Sequence, residues 1–281
     1  MSYIPLTEQQ MAHFETFGYL GFPGLLADRA ERIIQEFEAI WARHGGGHDG
    51  KPHDGKARSA MVQFLDQNEY LSSLLDDPRI EGIAASILGD DFNYMGSDGN
   101  FYAGDTPWHS DGYGGRGGPR HLKIAFYLDP LTRDTGALRV IPGSHRLGEP
   151  YADQLQRDIS KSESVWGVPG SQVPAMALET KAGDVLVFNH DLKHSAWGGS
   201  QRRRMFTMNC CQRYPEDKLD YLREYIGHAA RFWIERTYDD TIVRTASPAR
   251  MVHLEQVLAN DGHLAELSRQ RRAASLEPSR G

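Results

Sequence analysis

The chain has 281 residues, of which 40% are hydrophobic and 25% charged, a composition typical of a soluble globular protein with a substantial core. Its formal net charge of −7 argues against a nucleic-acid partner, because phosphate-binding surfaces usually need a clustered basic excess. We also expect no membrane span, since no apolar run approaches the roughly 18 residues that one requires.

The first 90 residues have helical patterning. Two segments carry capping-box spacing ahead of an apolar stripe, and the pairs are Thr7 with Gln10 and Asp28 with Glu31. Between them, GYLGFPG is short and aromatic, which is typical of a strand. A third helix is predicted to begin at Asp77, with Pro78 at its first position, and to end at Gly89.

The segment HGGGHDGKPHDGKA (residues 44–57) combines glycine, histidine and charge without periodicity. Glycine-rich stretches of this kind are typical of loops. We therefore predict a mobile loop whose three histidines are exposed to solvent and bind no metal.

The pattern changes to short β-prone segments between about residues 92 and 214. They are separated by Gly, Pro, Asp and Asn, and they read HLKIAFYL, ALRVIPG, AMALET, DVLVFNH and RMFTMNCC. Strands at this spacing indicate an antiparallel sandwich or barrel. Helical patterning returns after residue 215, and residues 274–281 are expected to form a disordered tail. We predict one domain over 1–281, with helical flanks at 7–90 and 215–273.

Candidate metal ligands stand in TPWHSDG (residues 106–112). Positions i and i+2 of a strand face the same way, so His109 and Asp111 would present an imidazole beside a carboxylate. A third ligand is available in GDVLVFNHDLKHSAWGG, which offers His190 and His194. Two histidines and one carboxylate form the facial triad of non-haem iron(II) oxygenases, which leaves coordination positions open. A closed zinc site would want four protein ligands, typically including cysteine.

These motifs belong to a longer resemblance over roughly residues 8–214. TPWHSDG, TGALRVIPGSH, KAGDVLVFNHDLKHSA and the basic strand QRRRMFTMN, in this order, resemble the phytanoyl-CoA dioxygenase family of Fe(II)- and 2-oxoglutarate-dependent oxygenases. The resemblance implies a mainly β fold, in which a double-stranded β-helix (jelly-roll, cupin-like) is buttressed by N- and C-terminal helices. It implies Fe(II) ligands at His109, Asp111 and His194, with His190 as the rival third ligand.

The resemblance also implies the reaction. A small molecule would be hydroxylated at carbon, with 2-oxoglutarate and O2 as co-substrates and with release of succinate and CO2. Related halogenases have a small residue in place of the carboxylate, so the presence of Asp111 favours a hydroxylase.

Members of this family bind the distal carboxylate of 2-oxoglutarate with an arginine about ten residues after the distal histidine. Arginine suits this task because its planar fork makes two parallel hydrogen bonds. Three candidates stand in a row, Arg202, Arg203 and Arg204. Strand alternation places Arg204 on the more apolar face, with Phe206, Met208 and Cys210, which should pack against the helical flank. We therefore favour Arg203, with Arg204 as the alternative.

Other side chains are predicted to contact ligands. Co-substrate contacts are expected from Asn100, Tyr102 and Lys123, and Lys123 would need an anionic partner if it is buried. The substrate mouth could be lined by four residues that flank the ligands, namely Trp108, Tyr113, Arg116 and Trp197. Arg116 and Arg139 hint at an anionic small-molecule substrate.

Two other classes of function use the same scaffold. One is a cupin-type metal-dependent isomerase or hydrolase without 2-oxoglutarate, and the arginines after His194 argue against it. The other is a catalytically silent binding protein, and the intact set of ligands argues against that. The first residues, MSYIPLTEQQ, lack a secretory signal, and the adjacent Cys210 and Cys211 are ill placed for a disulfide, so we expect a cytoplasmic protein.

Overall fold

The computed structural model describes residues 3–112 and 118–281. Within these ranges the α-helices are α1 Glu8–Phe17, α2 Ala30–Arg43, α3 Glu69–Ser72, α4 Pro78–Leu88, α5 Pro150–Asp158, α6 Ser162–Trp166, α7 Leu219–His228, α8 Asp240–Arg244, α9 Pro248–Leu258 and α10 Leu264–Ala274. The strands are β1 Tyr19–Phe22, β2 Ser59–Val62, β3 Asn93–Tyr102, β4 Thr106–His109, β5 His121–Tyr127, β6 Leu138–Val140, β7 Met176–Leu178, β8 Val185–Asn189, β9 His194–Ala196 and β10 Arg203–Cys211. No described helix is long and apolar enough to cross a membrane.

The predicted helix starts are confirmed for α1 and α4. Thr7 and Gln10 exchange both capping-box hydrogen bonds. Asp77 caps α4 through the backbone N–H of Arg79, with Pro78 in the first turn. The second predicted capping box is wrong, because α2 begins at Ala30 without a side-chain cap. Asp28 instead accepts a hydrogen bond of 2.7 Å from the Arg79 guanidinium.

The strands form two antiparallel sheets. The larger has the order β1-β8-β5-β10-β3-β2, and the smaller has the order β4-β9-β6-β7. Two features differ from the sequence prediction. The N-terminal flank contributes β2 as well as β1 to the edges of the larger sheet, and α5 and α6 interrupt the β-rich region between β6 and β7.

The outer face of the larger sheet packs against the helical flanks. Phe37 of α2 lies 5.1 Å from Phe64 and 5.5 Å from Phe101, measured between ring centroids. Phe206 of β10 is fully buried in the same cluster, as strand alternation predicts. Burial of aromatic side chains contributes strongly to stability, at about 25 cal/mol per Å² of apolar surface.

The inner face of the larger sheet faces the smaller sheet. Ala125, Tyr127 and Met205 of the larger sheet pack with Leu138 and Val140 of the smaller one. The two facing sheets with helical flanks confirm the predicted fold class. Helices hold 42% of the described residues and strands 20%, so residues in helices outnumber those in strands. The exact division into one domain stays a prediction.

The glycine-rich loop differs from its prediction at His48. His44 is exposed and His53 half-buried, but His48 is buried, with its ring nitrogens 3.1 Å from the Ala60 carbonyl and 2.9 Å from the Pro278 carbonyl. The C-terminal tail was predicted to be disordered, yet the Arg280 guanidinium donates to the Arg58 carbonyl at 3.0 Å. The tail therefore folds back over the loop and β2.

Candidate active site

Strand pairing in the smaller sheet brings two histidines together. β4 runs antiparallel to β9, and the register sets His109 directly opposite His194. Their ring centroids are 4.2 Å apart. Asp111 follows β4 and is fixed by its backbone N–H, which donates to the His190 carbonyl at 2.8 Å.

The three predicted ligands form one cluster. Carboxylate oxygens of Asp111 lie 3.9 Å from His109 Nε2 and 3.5 Å from His194 Nε2. One ligand atom from each of the three residues lies within 4.8 Å of the other two. Two imidazoles and one carboxylate on one side of a cavity match the donor set of a facial triad.

The hydrogen bonds of both imidazoles prepare them to bind a metal. His109 Nδ1 lies 2.7 Å from the Pro107 carbonyl, and His194 Nδ1 lies 2.9 Å from the Leu192 carbonyl. A carbonyl only accepts, so each Nδ1 carries the proton and each Nε2 presents its lone pair to the cluster. Such backbone acceptors orient metal-binding histidines in many proteins. The residues therefore fit an iron(II) ion.

The charge states of the cluster are those that a cation requires. Burial alone would raise the pKa of Asp111, but Lys123 and the neighbouring imidazoles outweigh it and hold this pKa well below its ordinary value. Burial lowers the pKa of His194 to about 3. Asp111 is consequently a carboxylate and His194 a neutral imidazole at neutral pH.

The rival ligand His190 is buried at the turn after β8 and also lines the cavity. Its two ring nitrogens have no hydrogen-bond partner among residues 3–112 and 118–281. It stands outside the cluster of three ligand atoms. The geometry thus favours His194, which the β4–β9 register places opposite His109.

A cavity of about 610 Å³ separates the two sheets and contains the cluster. This volume suits a small-molecule ligand. Side chains that point inward from β3, β5 and β10 line one wall, and residues of β4 and β9 line the opposite wall. Phe188 lines the cavity beside the ligands, with its ring centroid 5.0 Å from that of His194.

Arg203 points into this cavity, as the alternation argument predicted. It is 5% exposed, and its guanidinium donates to the carbonyls of Gly136 at 2.7 Å and Gly104 at 2.6 Å. Its Nε–H is buried without a partner in the described part of the chain. Tyr102 lies beside it, with the guanidinium carbon 5.5 Å from the ring centroid. Donors therefore remain for an anionic ligand.

The two neighbouring arginines are occupied at the protein surface. Arg204 binds the Asp129 carboxylate, with Nε–H donating at 2.9 Å, and also pairs with Glu38. Arg202 pairs with the same Glu38 at 2.7 Å. The alternative choice of Arg204 as co-substrate anchor is therefore wrong for this structure, because its side chain leaves the cavity.

The other three predicted co-substrate contacts have different environments. Tyr102 and Lys123 line the cavity, and Lys123 has the anionic partner that its burial required, since its Nζ donates to Asp111 at 2.7 Å. The prediction that Asn100 contacts the co-substrate is wrong. It is fully buried and bonded to Arg58 and Asp98, and it is absent from the described cavity wall.

Of the four residues predicted to line the substrate mouth, the structure describes two, Trp108 and Trp197. Trp108 lines the cavity, with its indole N–H donating to the Gly170 carbonyl at 2.8 Å. Trp197 is not part of the described cavity wall, but it packs in the same apolar cluster as Trp108 and donates to Ser195 Oγ, which lines the cavity. Tyr113 and Arg116 lie outside the described residues.

Arg139 does not contribute a charge to the cavity. It is buried and donates to the carbonyls of Ser171 at 2.7 Å and Arg133 at 2.9 Å. The prediction that Arg139 indicates an anionic substrate is therefore wrong. Its hydrogen bonds instead hold loops of the smaller sheet together.

Asp98 is a cavity residue that sequence reasoning missed. It lies on β3 opposite Thr207, whose hydroxyl donates to it, and Arg58 binds it at 3.2 Å. Burial opposes its charge, but Lys123 and Arg58 together lower the pKa of Asp98. No local signal marks this aspartate, because the partners that stabilise its charge, Arg58, Lys123 and Thr207, come from three distant segments.

A second missed group comes from the C-terminal flank. Four residues of α7 and the turn after it line the cavity, at the helical spacing i, i+3, i+4 and i+7, namely Tyr225, His228, Ala229 and Phe232. Arg231, Ile234 and Thr237 extend the same wall. The spacing in YIGHAARF is a signal that could have identified one helix face, although not what that face contacts.

The fold and the cluster define the class of protein. Two facing antiparallel sheets that enclose two histidines, one aspartate and a buried arginine are the arrangement of the iron(II)- and 2-oxoglutarate-dependent oxygenases, which have a jelly-roll core. The phytanoyl-CoA dioxygenase (PhyH) family matches residues 14–205, more than half of the chain. The chain belongs to this family, and it is a dioxygenase of the iron(II)- and 2-oxoglutarate-dependent kind.

Several characterised proteins are similar to the chain. The ectoine dioxygenase of Sphingopyxis alaskensis is 26% identical over 221 residues, which cover 69% of this chain and 71% of the relative. The L-proline trans-4-hydroxylase of Streptomyces griseoviridis is 28% identical over 141 residues, 47% of this chain and 52% of the relative.

Solved structures share the fold. The crystal structure of EctD from S. alaskensis with bound Fe has a TM-score of 0.58 and 22% identity, covering 75% of this chain and 79% of that one. The carbocyclase SnoK from nogalamycin biosynthesis, described as non-haem and alpha-ketoglutarate dependent, has a TM-score of 0.58 and 21% identity, covering 74% and 84%.

Proposed function

We propose that the protein hydroxylates a small molecule at carbon, with one oxygen atom of O2 entering the product and the other entering succinate. The co-substrate 2-oxoglutarate would lose CO2 in the same turnover. The observation that carries the proposal is that His109 and His194 present free Nε2 atoms beside the Asp111 carboxylate, in the cavity that also contains Arg203.

His109, Asp111 and His194 would hold the iron(II) ion. When bound there, iron(II) supplies the redox chemistry that couples O2 and 2-oxoglutarate to oxidation of a C–H bond, and the protein supplies binding and orientation. Three protein ligands leave open positions for the co-substrate and O2. The carbonyls of Pro107 and Leu192 keep both imidazoles in the metal-binding tautomer.

Arg203 would bind the distal carboxylate of 2-oxoglutarate. The carbonyls of Gly104 and Gly136 already fix its guanidinium, so little side-chain entropy is lost when a carboxylate binds. Tyr102 and Tyr127 line the cavity next to it. Burial raises the pKa of Tyr102, so its hydroxyl keeps its proton and can donate a hydrogen bond.

Lys123 would steady the charge of the iron ligand. Its ammonium donates a hydrogen bond to Asp111 and is attracted by the nearby carboxylate of Asp98. Burial opposes the positive charge, but these two carboxylates outweigh it and raise the pKa of Lys123. Both partners therefore stay charged at neutral pH. The apolar side chains of Phe188 and Met205 border this region of the cavity and limit the access of water.

Two other functions are less well supported. A cupin-type isomerase or hydrolase needs no anchor for a co-substrate, yet Arg203 is buried in the cavity with an unpartnered donor. A silent binding protein has no use for two imidazoles held in the metal-binding tautomer. Both observations favour the oxygenase.

One experiment tests the proposal directly. The purified protein, loaded anaerobically with iron(II) and 2-oxoglutarate, should develop the visible charge-transfer absorbance of a chelated 2-oxo acid. Admission of O2 should then release succinate. If the protein binds iron(II) but develops no absorbance and releases no succinate, the proposed co-substrate is wrong.

Asp111→Ala provides the site-specific arm of this experiment. It should lose iron binding and succinate release while keeping the circular-dichroism spectrum of the wild type. Asp134→Ala is the matched control, because Asp134 is an aspartate whose side chain is 88% exposed. It should behave as the wild type. Full turnover by Asp111→Ala would contradict the ligand assignment.

A further inference from the structure

The cavity has a wall that lies outside the matched family region of residues 14–205. This wall consists of α7 and the turn that follows it, and it faces the inner surfaces of the sheets. Phe232 and Ile234 give it apolar surface, and Arg231 gives it a formal charge. Residues on this wall can contact a substrate without contributing to the iron cluster.

Arg231 is an arginine without a counter-ion in this wall. Its Nε–H is buried and has no hydrogen-bond partner among the described residues. Its guanidinium carbon lies 4.7 Å from the ring centroid of Phe232, which holds the side chain in place. Across residues 3–112 and 118–281, the ion pairs of the structure include no carboxylate partner for Arg231. A buried, unpaired donor costs free energy unless a ligand satisfies it.

The other charges of the cavity are already matched. The charged side chains that line its described part are four cations and two carboxylates, namely Arg58, Lys123, Arg203, Arg231, Asp98 and Asp111. Arg58 binds Asp98 at 3.2 Å, and Lys123 binds Asp111 at 2.7 Å. Arg203 and Arg231 have no carboxylate partner among the described residues, and Arg203 is assigned to 2-oxoglutarate. Arg231 is therefore the cation that remains.

We propose that Arg231 binds an anionic oxygen group of the substrate, a carboxylate or a phosphate. This inference rests on the proposed function, because it assigns the substrate class of the same site. Guanidinium suits both groups, since its planar fork can donate two parallel hydrogen bonds. Phe232 supports the guanidinium from one side and leaves its edge available to the ligand. Arg231 thus determines specificity, and the iron cluster performs the oxidation.

The test measures anion binding to protein that is saturated anaerobically with iron(II) and 2-oxoglutarate, so that Arg203 is occupied. The probes are inorganic phosphate, acetate and, as the neutral counterpart of acetate, acetamide, all at one ionic strength. Binding is followed by the shift in melting temperature as each probe is titrated. The proteins are wild type, Arg231→Gln, Arg231→Lys and the control Arg236→Gln, whose side chain is exposed and outside the described cavity wall.

We expect phosphate or acetate, and not acetamide, to stabilise wild type and Arg236→Gln. Arg231→Gln should bind the same anion at least about 30-fold more weakly, and Arg231→Lys should recover part of this loss. A response to phosphate alone identifies a phosphorylated substrate, and a response to acetate alone identifies a carboxylate. Equal binding by Arg231→Gln and Arg236→Gln, or no anion binding by any of the four proteins, would overturn the inference.

A second measurement separates this inference from the proposed function. The charge-transfer absorbance of the same wild-type sample reports iron and 2-oxoglutarate, whatever happens at Arg231. If that absorbance is missing, the proposed function fails, and the anion titrations still decide whether Arg231 binds. If the absorbance is present and the titrations show no dependence on Arg231, only the inference fails.

Discussion

Replacement of Arg203 by glutamine should weaken 2-oxoglutarate binding more than any other single change outside the iron ligands. The substitution removes a buried positive charge that faces the co-substrate and keeps a side chain of similar shape. Loss of one partner from a buried, hydrogen-bonded charge pair costs about 2–5 kcal/mol. Because each 1.4 kcal/mol is a factor of ten, the dissociation constant should rise between about 30-fold and several thousand-fold.

The assay is an anaerobic titration of the iron(II)-loaded protein with 2-oxoglutarate, followed by charge-transfer absorbance. Arg204→Gln is the matched control, since it removes the neighbouring arginine of the same strand, whose partners are Asp129 and Glu38. This control should keep the wild-type dissociation constant. Equal affinity in Arg203→Gln and the wild type would refute the assignment, as would a loss that appears only in Arg204→Gln.

Three further predictions test the metal centre and the core. A divalent metal at 100 times its dissociation constant should stabilise the protein by about 2.7 kcal/mol, measured by thermal unfolding. His194→Ala should lose this stabilisation, and His190→Ala should keep it. The reverse pattern would make His190 the ligand. Burial raises the pKa of Asp66 to about 7, so the folded state retains a proton that the unfolded state has released, and stability falls as pH rises from about 4 to 7. Between pH 5 and 8 the wild type should lose about 2–3 kcal/mol relative to Asp66→Asn in urea unfolding, and parallel curves would contradict the raised pKa. A Cβ at Gly99 would lie 2.1 Å from the Phe64 ring, so Gly99→Ala should destabilise by about 1–3 kcal/mol, and an unchanged urea midpoint would contradict this packing.

Period-2 alternation along one strand is a local property, and it correctly predicted which arginine enters the cavity. Arg203 shares the inward face of β10 with Met205 and Thr207, and Arg204 points away from the cavity. The family resemblance implied the ligand set His109, Asp111 and His194, whereas the strand register that places His109 opposite His194 is seen only in the structure. Those parts of the site could be predicted because each rests on local spacing or on a motif.

Contacts between distant segments could not be predicted in this way. His48 looks like a loop residue in composition, yet the Pro278 carbonyl, 230 positions later, lies 2.9 Å from its ring. Asp98 depends on partners at Arg58 and Thr207 that the sequence does not mark. The same holds for Asp28, which pairs with Arg79 instead of capping α2.

The C-terminal wall was missed for a related reason. Its spacing indicates a helix with one distinct face, but an amphipathic helix buries that face against the core in most proteins. Only the packing of α7 and the turn after it against the cavity makes Tyr225 and Phe232 lining residues.

The separation between the β sheets and α7 has an evolutionary consequence. Hydrogen-bonded register holds the iron ligands, so most changes in β4 or β9 would damage catalysis, whereas α7 contributes to the cavity only through side chains. Mutations of the cavity-lining side chains in this ten-residue helix and the turn behind it can therefore accumulate without loss of the oxidation chemistry. Paralogues that arise by gene duplication could acquire new substrates through this one segment, while inheriting an unaltered reaction centre.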